Sequence, residues 1–425
     1  MEDRIYKEYV KILQEELIPA TGCTEPIAVA YAAAVARDTL GELPEQVDIA
    51  VSANIIKNVK SVIVPHTGGL RGIDAAAAAG IAAGDAERKL EVLAGIGSGQ
   101  IAEISAYLAK ARFAVRQAES PYIFDIQITV SAGGHTAFAR IAGYHTNLIQ
   151  VERDGQVLLH KDYADGGHQY ATDRSLLTVE RIVEFADCVD LSDVRETLDR
   201  QISCNTAIAE EGLKGNWGAN IGSILLRSYG NSVHNRAKAM AAAGSDGRMN
   251  GCEMPVVINS GSGNQGLTAS LPVIVYAKEM QVSQDLLYRA LVVSNLITIH
   301  LKTGIGRLSA YCGAISAGCG AGAGVAYLHG GRQTEIAHTI VNALAINSGV
   351  ICDGAKSSCA AKIASAVEAG LLGMQMYFHG SEFCGGDGIV TKGVENTIKN
   401  VGQLARKGMA QTDKEIISIM ISGHS

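Results

Sequence analysis

From Leu176 to the C-terminus, the sequence alternates between helix-like segments and short glycine-rich breaks. Apolar residues at helical spacing predict helices over residues 176–188, 192–212, 221–243, 268–279, 283–302, 333–347, 355–372 and 393–422. The clearest breaks are residues 259–266, 303–306, 313–324 and 383–388. Strands that alternate regularly with these helices are missing from the pattern, which argues against a parallel doubly wound domain. We therefore predict a mostly α-helical C-terminal domain.

The N-terminal part of the chain has a mixed character. The pattern predicts a helix over residues 2–18, which Pro19 stops, an alanine-rich helix over 26–40, and another helix from about Ile73. Residues rich in Val and Ile over 47–64 predict one or two strands. Four further segments predict an antiparallel sheet with a hairpin at Asp154-Gly155: residues 123–130, 137–142, 147–153 and 156–160.

These patterns predict an α+β fold with two domains. Residues 1–165 would form a mixed domain with N-terminal helices and a small antiparallel sheet. Residues 166–425 would form the helical domain, with a polar, glycine-rich linker over 163–173. The 48 glycines, together with an aromatic content of only 5%, allow helices to pack backbone to backbone and leave room for a small ligand.

Composition and charge narrow the class of protein. Lys and Arg number 36 against 43 Asp and Glu, a net charge of −7, which argues against nucleic-acid binding. No segment has the pattern of a secretory signal or the length of a membrane span, so we expect a cytoplasmic protein with no membrane partner. Its nine cysteines would then be reduced thiols, metal ligands or catalytic groups. Helical surfaces of low charge lead us to expect a homodimer.

Three cysteines near the C-terminus have unusual surroundings. Cys312 precedes a glycine, and Cys352 and Cys359 enclose a Gly- and Ser-containing segment before a helix, where backbone N–H groups are free to meet a thiolate. Their spacing matches no zinc pattern, and ordinary buried cysteines in a core of small residues remain an alternative. Three thiolates would also suit a [4Fe–4S] cluster with one open iron. Cys319 and Cys384 are candidates for a fourth ligand.

A second candidate site is the loop around Cys23, between two helices. The positive end of the following helix should lower the pKa of this thiol, which would make it a base or nucleophile. Hydroxyl groups of Thr21 and Thr24 would be able to hold a small anionic substrate. The alternative is that Thr24 and Glu25 only cap the helix and that Cys23 fills space.

A third candidate is the Gly/Ser loop over residues 259–266, which leads into a helix. Successive backbone N–H groups in such a loop form a nest for a carboxylate or phosphate, although many such loops only connect helices. It is not a P-loop, because the G-x-x-x-x-G-K-[ST] pattern is absent. His66 is a weaker candidate base in a similar loop. The histidines form no H-E-x-x-H set and G-x-S-x-G is absent, so hydrolase chemistry has little support.

Four segments together resemble the L-cysteine desulfidase family, which belongs to the wider group of oxygen-sensitive iron–sulfur L-serine dehydratases. They are residues 19–28 (PATGCTEPIA), 260–266 (SGSGNQG), 311–313 (YCG) and 351–362 (ICDGAKSSCAAK). The likeness extends over essentially the whole chain. It implies a [4Fe–4S] lyase that converts L-cysteine to hydrogen sulfide, ammonia and pyruvate without pyridoxal phosphate.

Carried over position by position, the resemblance implies that Cys312, Cys352 and Cys359 are the cluster ligands. Cys23 stands where the serine dehydratases carry a histidine, in a motif similar to S-S-S-H-T-x-G-P, so we expect Cys23 to be the catalytic base. The loop positions further lead us to expect that seven residues bind the amino-acid substrate: Thr21, Gly22, Thr24, Glu25, Ser262, Asn264 and Gln265.

Three other functions compete with this interpretation. An L-serine dehydratase would use the same site with a different leaving group. The Asn264 loop also resembles the loop that grips the cofactor in fold-type II pyridoxal-phosphate enzymes, with Lys238 as the candidate Schiff-base lysine. That fold requires a parallel sheet, which the helical pattern around residue 260 does not support. A non-enzymatic protein that binds a small ligand or metal is the third alternative.

Overall fold

The computed structural model describes residues 1–163, 172–306 and 308–422, and it confirms the α+β fold with a helical C-terminal part. Its helices are α1 (Asp3–Glu16), α2 (Thr24–Leu40), α3 (Ala53–Val59), α4 (Ile73–Ala83), α5 (Ser98–Lys110), α6 (Val179–Cys188), α7 (Arg195–Lys214), α8 (Ile221–Tyr229), α9 (Val233–Met249), α10 (Gly263–Glu279), α11 (Gln284–Ile305), α12 (Gly313–Leu328), α13 (Gln333–Ile346), α14 (Cys359–Phe378), α15 (Val394–Gln403) and α16 (Ala410–Ser422). Its strands are β1 (Pro19–Thr21), β2 (Gln46–Val51), β3 (Arg112–Gln117), β4 (Asp125–Ala132), β5 (His135–Ala142), β6 (Leu148–Arg153), β7 (Gln156–His160) and β8 (Pro255–Val257).

The predicted linker at 163–173 and the domain boundary at 165 fall largely outside the described residues, so the division into two domains stays a prediction. No helix in the described part of the chain is both long and apolar enough to cross a membrane.

The described N-terminal residues form a six-stranded sheet in the order β3-β2-β4-β5-β6-β7. Strands β2 and β3 are parallel, and the other neighbours are antiparallel. The predicted hairpin joins β6 to β7, where Asp154 and Gly155 both have positive φ, as a tight two-residue turn requires. Helix α2 packs across β4, β5 and β6 and against α4, so the N-terminal core lies between this helix and the sheet.

The prediction of strands over residues 47–64 is only partly correct. Strand β2 ends at Val51, and the following residues form α3. Ile55 and Val59 are both fully buried, and their spacing of one helical turn places them on one face of α3. Val and Ile therefore fill a helix face here, because burial in the core outweighs their preference for strands.

The predicted break at 313–324 is wrong, because these residues lie in α12, which is buried over its length. Its glycines serve close packing instead of ending the helix. A Cβ built on Gly318 would lie 2.2 Å from the carbonyl oxygen of Ala366, and one on Gly322 would lie 2.4 Å from that of Gly370. Gly320 and Gly324 make similar approaches to α11. Glycine spacing of four residues thus creates faces on which two helix backbones touch.

The direction of these contacts fixes how the helices run. Gly318 and Gly322 follow the same order along α12 as Ala366 and Gly370 along α14, so the two helices are parallel. Helix α11 runs antiparallel to α12, since Gly320 faces Thr298 and Gly324 faces the earlier residue Ala290. The N-termini of α12 and α14 therefore lie at the same end as the C-terminus of α11.

Several helix boundaries also differ from prediction. The predicted helix 221–243 is divided into α8 and α9 by Gly230, which has a φ of 82°. Helix α10 begins at Gly263, inside the predicted glycine-rich break. Helix α14 begins only at Cys359, because Gly354 adopts a φ of 92° and turns the preceding segment. These shifts place the Gly/Ser loop and the cysteine segment directly before helix N-termini.

A two-stranded ribbon connects the N-terminal loop to the helical part of the chain. Strand β1 pairs with β8 in antiparallel register, with Ala20 opposite Val256. This pairing places the Cys23 loop beside the 259–266 loop. The hydroxyl of Thr24 completes the connection by donating a hydrogen bond to the carbonyl oxygen of Gly261, at 3.0 Å.

The backbone contact between α12 and α14 predicts that Gly322→Ala is destabilising. The added Cβ meets a backbone carbonyl, which cannot rotate away, so we expect the free energy of unfolding to fall by about 1–3 kcal/mol, as in other overpacked cores. Thermal and urea unfolding followed by circular dichroism would measure this change. Gly99→Ala in α5 is the matched control, because a Cβ there meets nothing within 4 Å. Equal unfolding midpoints for the two variants would contradict the packing described.

Candidate functional site

The three candidate motifs of the sequence meet at one cavity. It encloses about 730 Å³ of space, part of which is open to solvent. Eight of the predicted site residues line it: Cys23, Glu25, Ser262, Asn264, Gln265, Cys312, Cys352 and Cys359. Segments that are far apart in the sequence thus contribute to a single wall.

Short backbone pairing brings Cys312 and Cys352 side by side. Tyr311 and Ile351 form an isolated antiparallel bridge. The N–H of Cys312 donates to the carbonyl oxygen of Val350 at 2.8 Å, and the N–H of Cys352 donates to that of Ala310 at 2.6 Å. Cys312 is also the N-cap residue of α12, so its thiol lies at the positive end of that helix.

The segment between Cys352 and Cys359 is folded tightly against α3. At Gly354 an added Cβ would lie 2.4 Å from the carbonyl oxygen of Lys57, so only glycine allows this approach. Cys359 is the first residue of α14. The segment is braced by Asp353, whose carboxylate forms ion pairs with Lys356 at 2.5 Å and Lys362 at 2.6 Å.

Of the three thiols, only Cys352 has a lowered pKa, whereas the pKa of Cys312 is raised and burial raises that of Cys359. Each accepts a backbone N–H hydrogen bond: Cys312 from Ala314, Cys352 from Gly354, and Cys359 from Lys356. The Cys312 thiol donates a hydrogen bond to Cys352, and this bond, with help from two nearby lysines, holds the pKa of Cys352 below its usual value. The same bond and burial raise the pKa of Cys312.

The lysines beside Cys352 are Lys57 and Lys302, and both line the cavity. Lys57 is only 3% exposed, and its Nζ atom forms an ion pair with Asp413 of α16 at 2.6 Å. Lys302 comes from the last turn of α11, where a cation is favoured by the helix dipole. Both lysines therefore favour the negatively charged form of Cys352.

Cys23 does not have the electrostatic state predicted for it. It is the N-cap residue of α2, but it is only 2% exposed. Burial and the nearby carboxylate of Glu25 raise the pKa of its thiol well above the usual value. The prediction that the helix terminus lowers this pKa is wrong, because loss of hydration outweighs the helix dipole. Cys23 is a neutral thiol that donates a hydrogen bond to Glu25 Oε2 at 3.1 Å.

Glu25 is held in place by three donors. Its Oε2 atom accepts from the Cys23 thiol at 3.1 Å and lies 3.1 Å from the Thr24 hydroxyl, whose one hydrogen it shares with the carbonyl oxygen of Gly261. Its Oε1 atom accepts from Asn58 Nδ2 at 3.2 Å. Asn58 belongs to α3, which also carries Lys57. One short helix therefore supplies groups to both the thiol cluster and the Cys23–Glu25 pair.

Three residues predicted to bind substrate do not line the cavity. Thr21 lies in β1, opposite Pro255, and Thr24 uses its hydroxyl to join the two loops and to hold Glu25. Gly22 has a φ of 69°, and a Cβ there would lie 2.7 Å from Pro65. In the described structure these residues shape the Cys23 loop.

The three predicted residues of the Gly/Ser loop do reach the cavity. Ser262 is the N-cap residue of α10, and Asn264 Oδ1 accepts a hydrogen bond from Arg248 Nη1 at 3.1 Å. Gln265 packs against Gly313, where a Cβ would lie 2.6 Å from its amide carbon. Its Oε1 atom is buried without a hydrogen-bond partner.

Sequence reasoning missed four polar residues of the cavity wall: Lys57, Asn58, Arg248 and Lys302. Two of them have a signal in the sequence. Arg248 follows a run of small residues in α9, and Lys302 follows a mostly apolar stretch of α11. A cation in a buried part of a helix is a good site candidate, because burying a charge is costly.

The remaining candidates lie elsewhere. Cys319 is buried within α12 and Cys384 is exposed, and neither lines this cavity. His66 Nδ1 lies 3.3 Å from a carboxylate oxygen of Glu253. Lys238, the candidate Schiff-base lysine, has its Nζ atom 2.6 Å from Glu368, and helices surround the Asn264 loop instead of a parallel sheet. All nine cysteines are free.

Across residues 1–163, 172–306 and 308–422, no group of three His, Cys, Asp or Glu side chains could hold a single metal ion. The residues Cys312, Cys352 and Cys359 line a common cavity.

Comparison with known proteins gives the family. The chain matches the family model of the serine dehydratase alpha chain over residues 87–418. It is 60% identical to a UPF0597 protein of Desulfitobacterium hafniense, over 99% of this chain and 98% of the relative. It is 49% identical to one of Lachnoclostridium phytofermentans, over 98% and 100%, and 44% identical to one of Treponema denticola, over 98% of each chain. The chain therefore belongs to the serine dehydratase alpha chain family.

Proposed function

We propose that this protein is a lyase that eliminates sulfide from L-cysteine and produces hydrogen sulfide, ammonia and pyruvate. Cys312, Cys352 and Cys359 would hold a [4Fe–4S] cluster. The observation that carries the proposal is the meeting of these three thiols with the Cys23–Glu25 pair at one cavity. Membership of the serine dehydratase family supports an elimination reaction at an amino acid.

The donor set fits such a cluster. Cys312, Cys352 and Cys359 line one cavity, where three thiolates would each bind a different iron of the cluster. Each sulfur accepts a backbone N–H bond, and Lys57 and Lys302 offset negative charge. When bound through three thiolates, the cluster would supply a Lewis-acidic iron for the leaving sulfur.

The proton chemistry would belong to Cys23 and Glu25. The Cα proton of an amino acid is weakly acidic, so its removal needs a base in close contact. Cys23 would become that base by passing its thiol proton to Glu25, to which it is already hydrogen-bonded. Asn58 and Thr24 hold the carboxylate in the orientation that accepts this proton.

The remaining steps follow from the products. The electron pair of the Cα–H bond forms the Cα=Cβ double bond, and the Cβ–S bond breaks with its electrons on sulfur. Sulfide takes up a proton, and the aminoacrylate that remains tautomerises to an imine. Water hydrolyses this imine to pyruvate and ammonia without a further protein group.

L-Serine is the second candidate substrate, because the matching family is named for serine dehydratase. Two features favour L-cysteine. A soft thiolate suits iron better than a hydroxyl does, and Cys23 stands where the resembling serine dehydratases carry a histidine. Comparison of kcat/KM for the two amino acids decides between them, and a higher value for L-serine would overturn the preference for L-cysteine.

The ligand assignment predicts that Cys312→Ser, Cys352→Ser and Cys359→Ser each lower the iron content of the anaerobically purified protein. A serine oxygen is a harder and less acidic ligand than a thiolate. Iron and acid-labile sulfide assays would measure this loss. Cys384→Ser is the matched control, since this exposed thiol does not line the cavity. Normal iron content in all three ligand variants would remove the assignment.

The base assignment predicts that Cys23→Ala keeps its iron but loses turnover by about 100-fold or more, the usual effect of removing a general base. Glu25→Gln should have a similar effect, because the amide cannot take up the thiol proton. Sulfide release from L-cysteine would be measured beside iron content. Cys252→Ala is the control, as it changes another buried cysteine that does not line the cavity. Full activity of Cys23→Ala would exclude Cys23 as the base.

A further inference from the structure

Arg248 is a buried cation that the reaction described above does not use. Its side chain lines the cavity, yet the residue is only 2% exposed. Its Nη1 atom donates to Asn264 Oδ1 at 3.1 Å, while its Nε atom is buried without any hydrogen-bond partner. The guanidinium group therefore has a hydrogen-bond partner at Nη1 but none at Nε.

The surrounding structure is built to accommodate this group. A Cβ on Gly263 would lie 2.3 Å from Arg248 Nε, so the glycine at the start of α10 leaves space for the guanidinium. Asn264, the next residue, then fixes its orientation through the bond to Nη1. Arg248 itself comes from the last turn of α9, where a cation is favoured by the helix dipole.

A buried guanidinium with an unsatisfied N–H donor destabilises the protein unless an anion accepts a hydrogen bond from that donor. Glu25, the carboxylate of the cavity wall, already accepts hydrogen bonds from Cys23, Thr24 and Asn58. No described carboxylate forms an ion pair with Arg248 among residues 1–163, 172–306 and 308–422. The missing partner is therefore expected to be a ligand, and the planar fork of arginine matches a carboxylate.

We propose that Arg248 binds the α-carboxylate of the amino-acid substrate, an inference that rests on the proposed lyase function. Arg248 is close enough to Cys23 to favour its negative form electrostatically. The α-carboxylate is attached to the carbon whose proton is removed, so its binding group and the base must be neighbours. Neutralising the carboxylate also makes that proton easier to remove.

Gln265 supplies the complementary group. Its Oε1 atom is a buried acceptor without a partner in the same cavity, as Arg248 Nε is a buried donor without one. An α-amino acid carries a carboxylate acceptor and an ammonium donor on one carbon. The two unsatisfied atoms thus match the two groups that all α-amino acids share, and the arrangement would reject simple amines and thiols.

The test measures binding apart from turnover. L-Alanine has both charged groups but no leaving group, and ethylamine is the same molecule without the carboxylate. Calorimetric titration of the anaerobically purified protein with each probe would be done for the wild type, Arg248→Gln and Arg248→Lys. Arg236→Gln is the matched control, because it also removes an arginine from α9. The partner of Arg236 is Glu279, and neither residue lines the cavity.

We expect Arg248→Gln to weaken L-alanine binding by roughly tenfold or more, as loss of a charge-assisted hydrogen bond does. Ethylamine should bind too weakly to measure in both proteins, and the iron content of the variant should stay as in the wild type. The L-alanine affinity of Arg248→Lys should lie between those of the wild type and Arg248→Gln, since lysine keeps the positive charge but not the planar pair of donors. If Arg248→Gln does not fold, a raised KM for L-cysteine in Arg248→Lys, with a smaller change in kcat, is the supporting result.

Unchanged L-alanine binding in Arg248→Gln, or an unchanged KM in Arg248→Lys where only that variant folds, would overturn the carboxylate assignment. The two proposals fail separately. Loss of L-alanine binding in Arg248→Gln, in a protein that releases no sulfide from L-cysteine, would leave the carboxylate site standing and remove the lyase reaction. Normal turnover of L-cysteine, with L-alanine binding that does not depend on Arg248, would support the lyase reaction and remove the carboxylate site.

Discussion

The backbone contact between α12 and α14 is the constraint on which the site depends. Gly318 and Gly322 let the two helices touch at Ala366 and Gly370, and they do so in parallel. Their N-termini, which carry Cys312 and Cys359, are therefore held at one end. Parallel helices place two positive ends together, an arrangement that is unfavourable until negative charge lies between them. The packing that forms the core therefore also favours the binding of anions at this end of the two helices.

The other helices at the cavity also favour the binding of anions. Helices α2 and α10 also begin there, at Cys23 and Ser262, whereas α9 and α11 end nearby and contribute Arg248 and Lys302. Helices that begin at the cavity supply thiols, hydroxyls and N–H groups, and those that end there supply cations. Thiolates and a substrate carboxylate are the anions that such a wall suits, which is why cluster binding and amino-acid binding are proposed for one cavity.

Local patterns in the sequence predicted part of this structure. The hairpin at Asp154-Gly155 and most helices were predictable because they depend on short-range chemistry. The α12 break was predicted wrongly because glycine weakens an isolated helix, whereas here it permits contact with α14, a partner distant in sequence. In the same way, the pKa of Cys23 depends on burial and Glu25, and the role of Arg248 depends on Gly263 and Asn264. The cysteine motifs were recognisable as a set, but the cations that face them come from unrelated segments.

The proposed cluster chemistry is tested most directly by the iron and acid-labile sulfide content of the protein purified without oxygen, measured together with sulfide release from L-cysteine. We expect about four irons and matching sulfide per chain, as a [4Fe–4S] cluster requires. We also expect exposure to air to remove cluster and activity together. A protein that holds no iron after anaerobic purification and attempted reconstitution, and that still releases sulfide from L-cysteine, would contradict the proposed cluster chemistry.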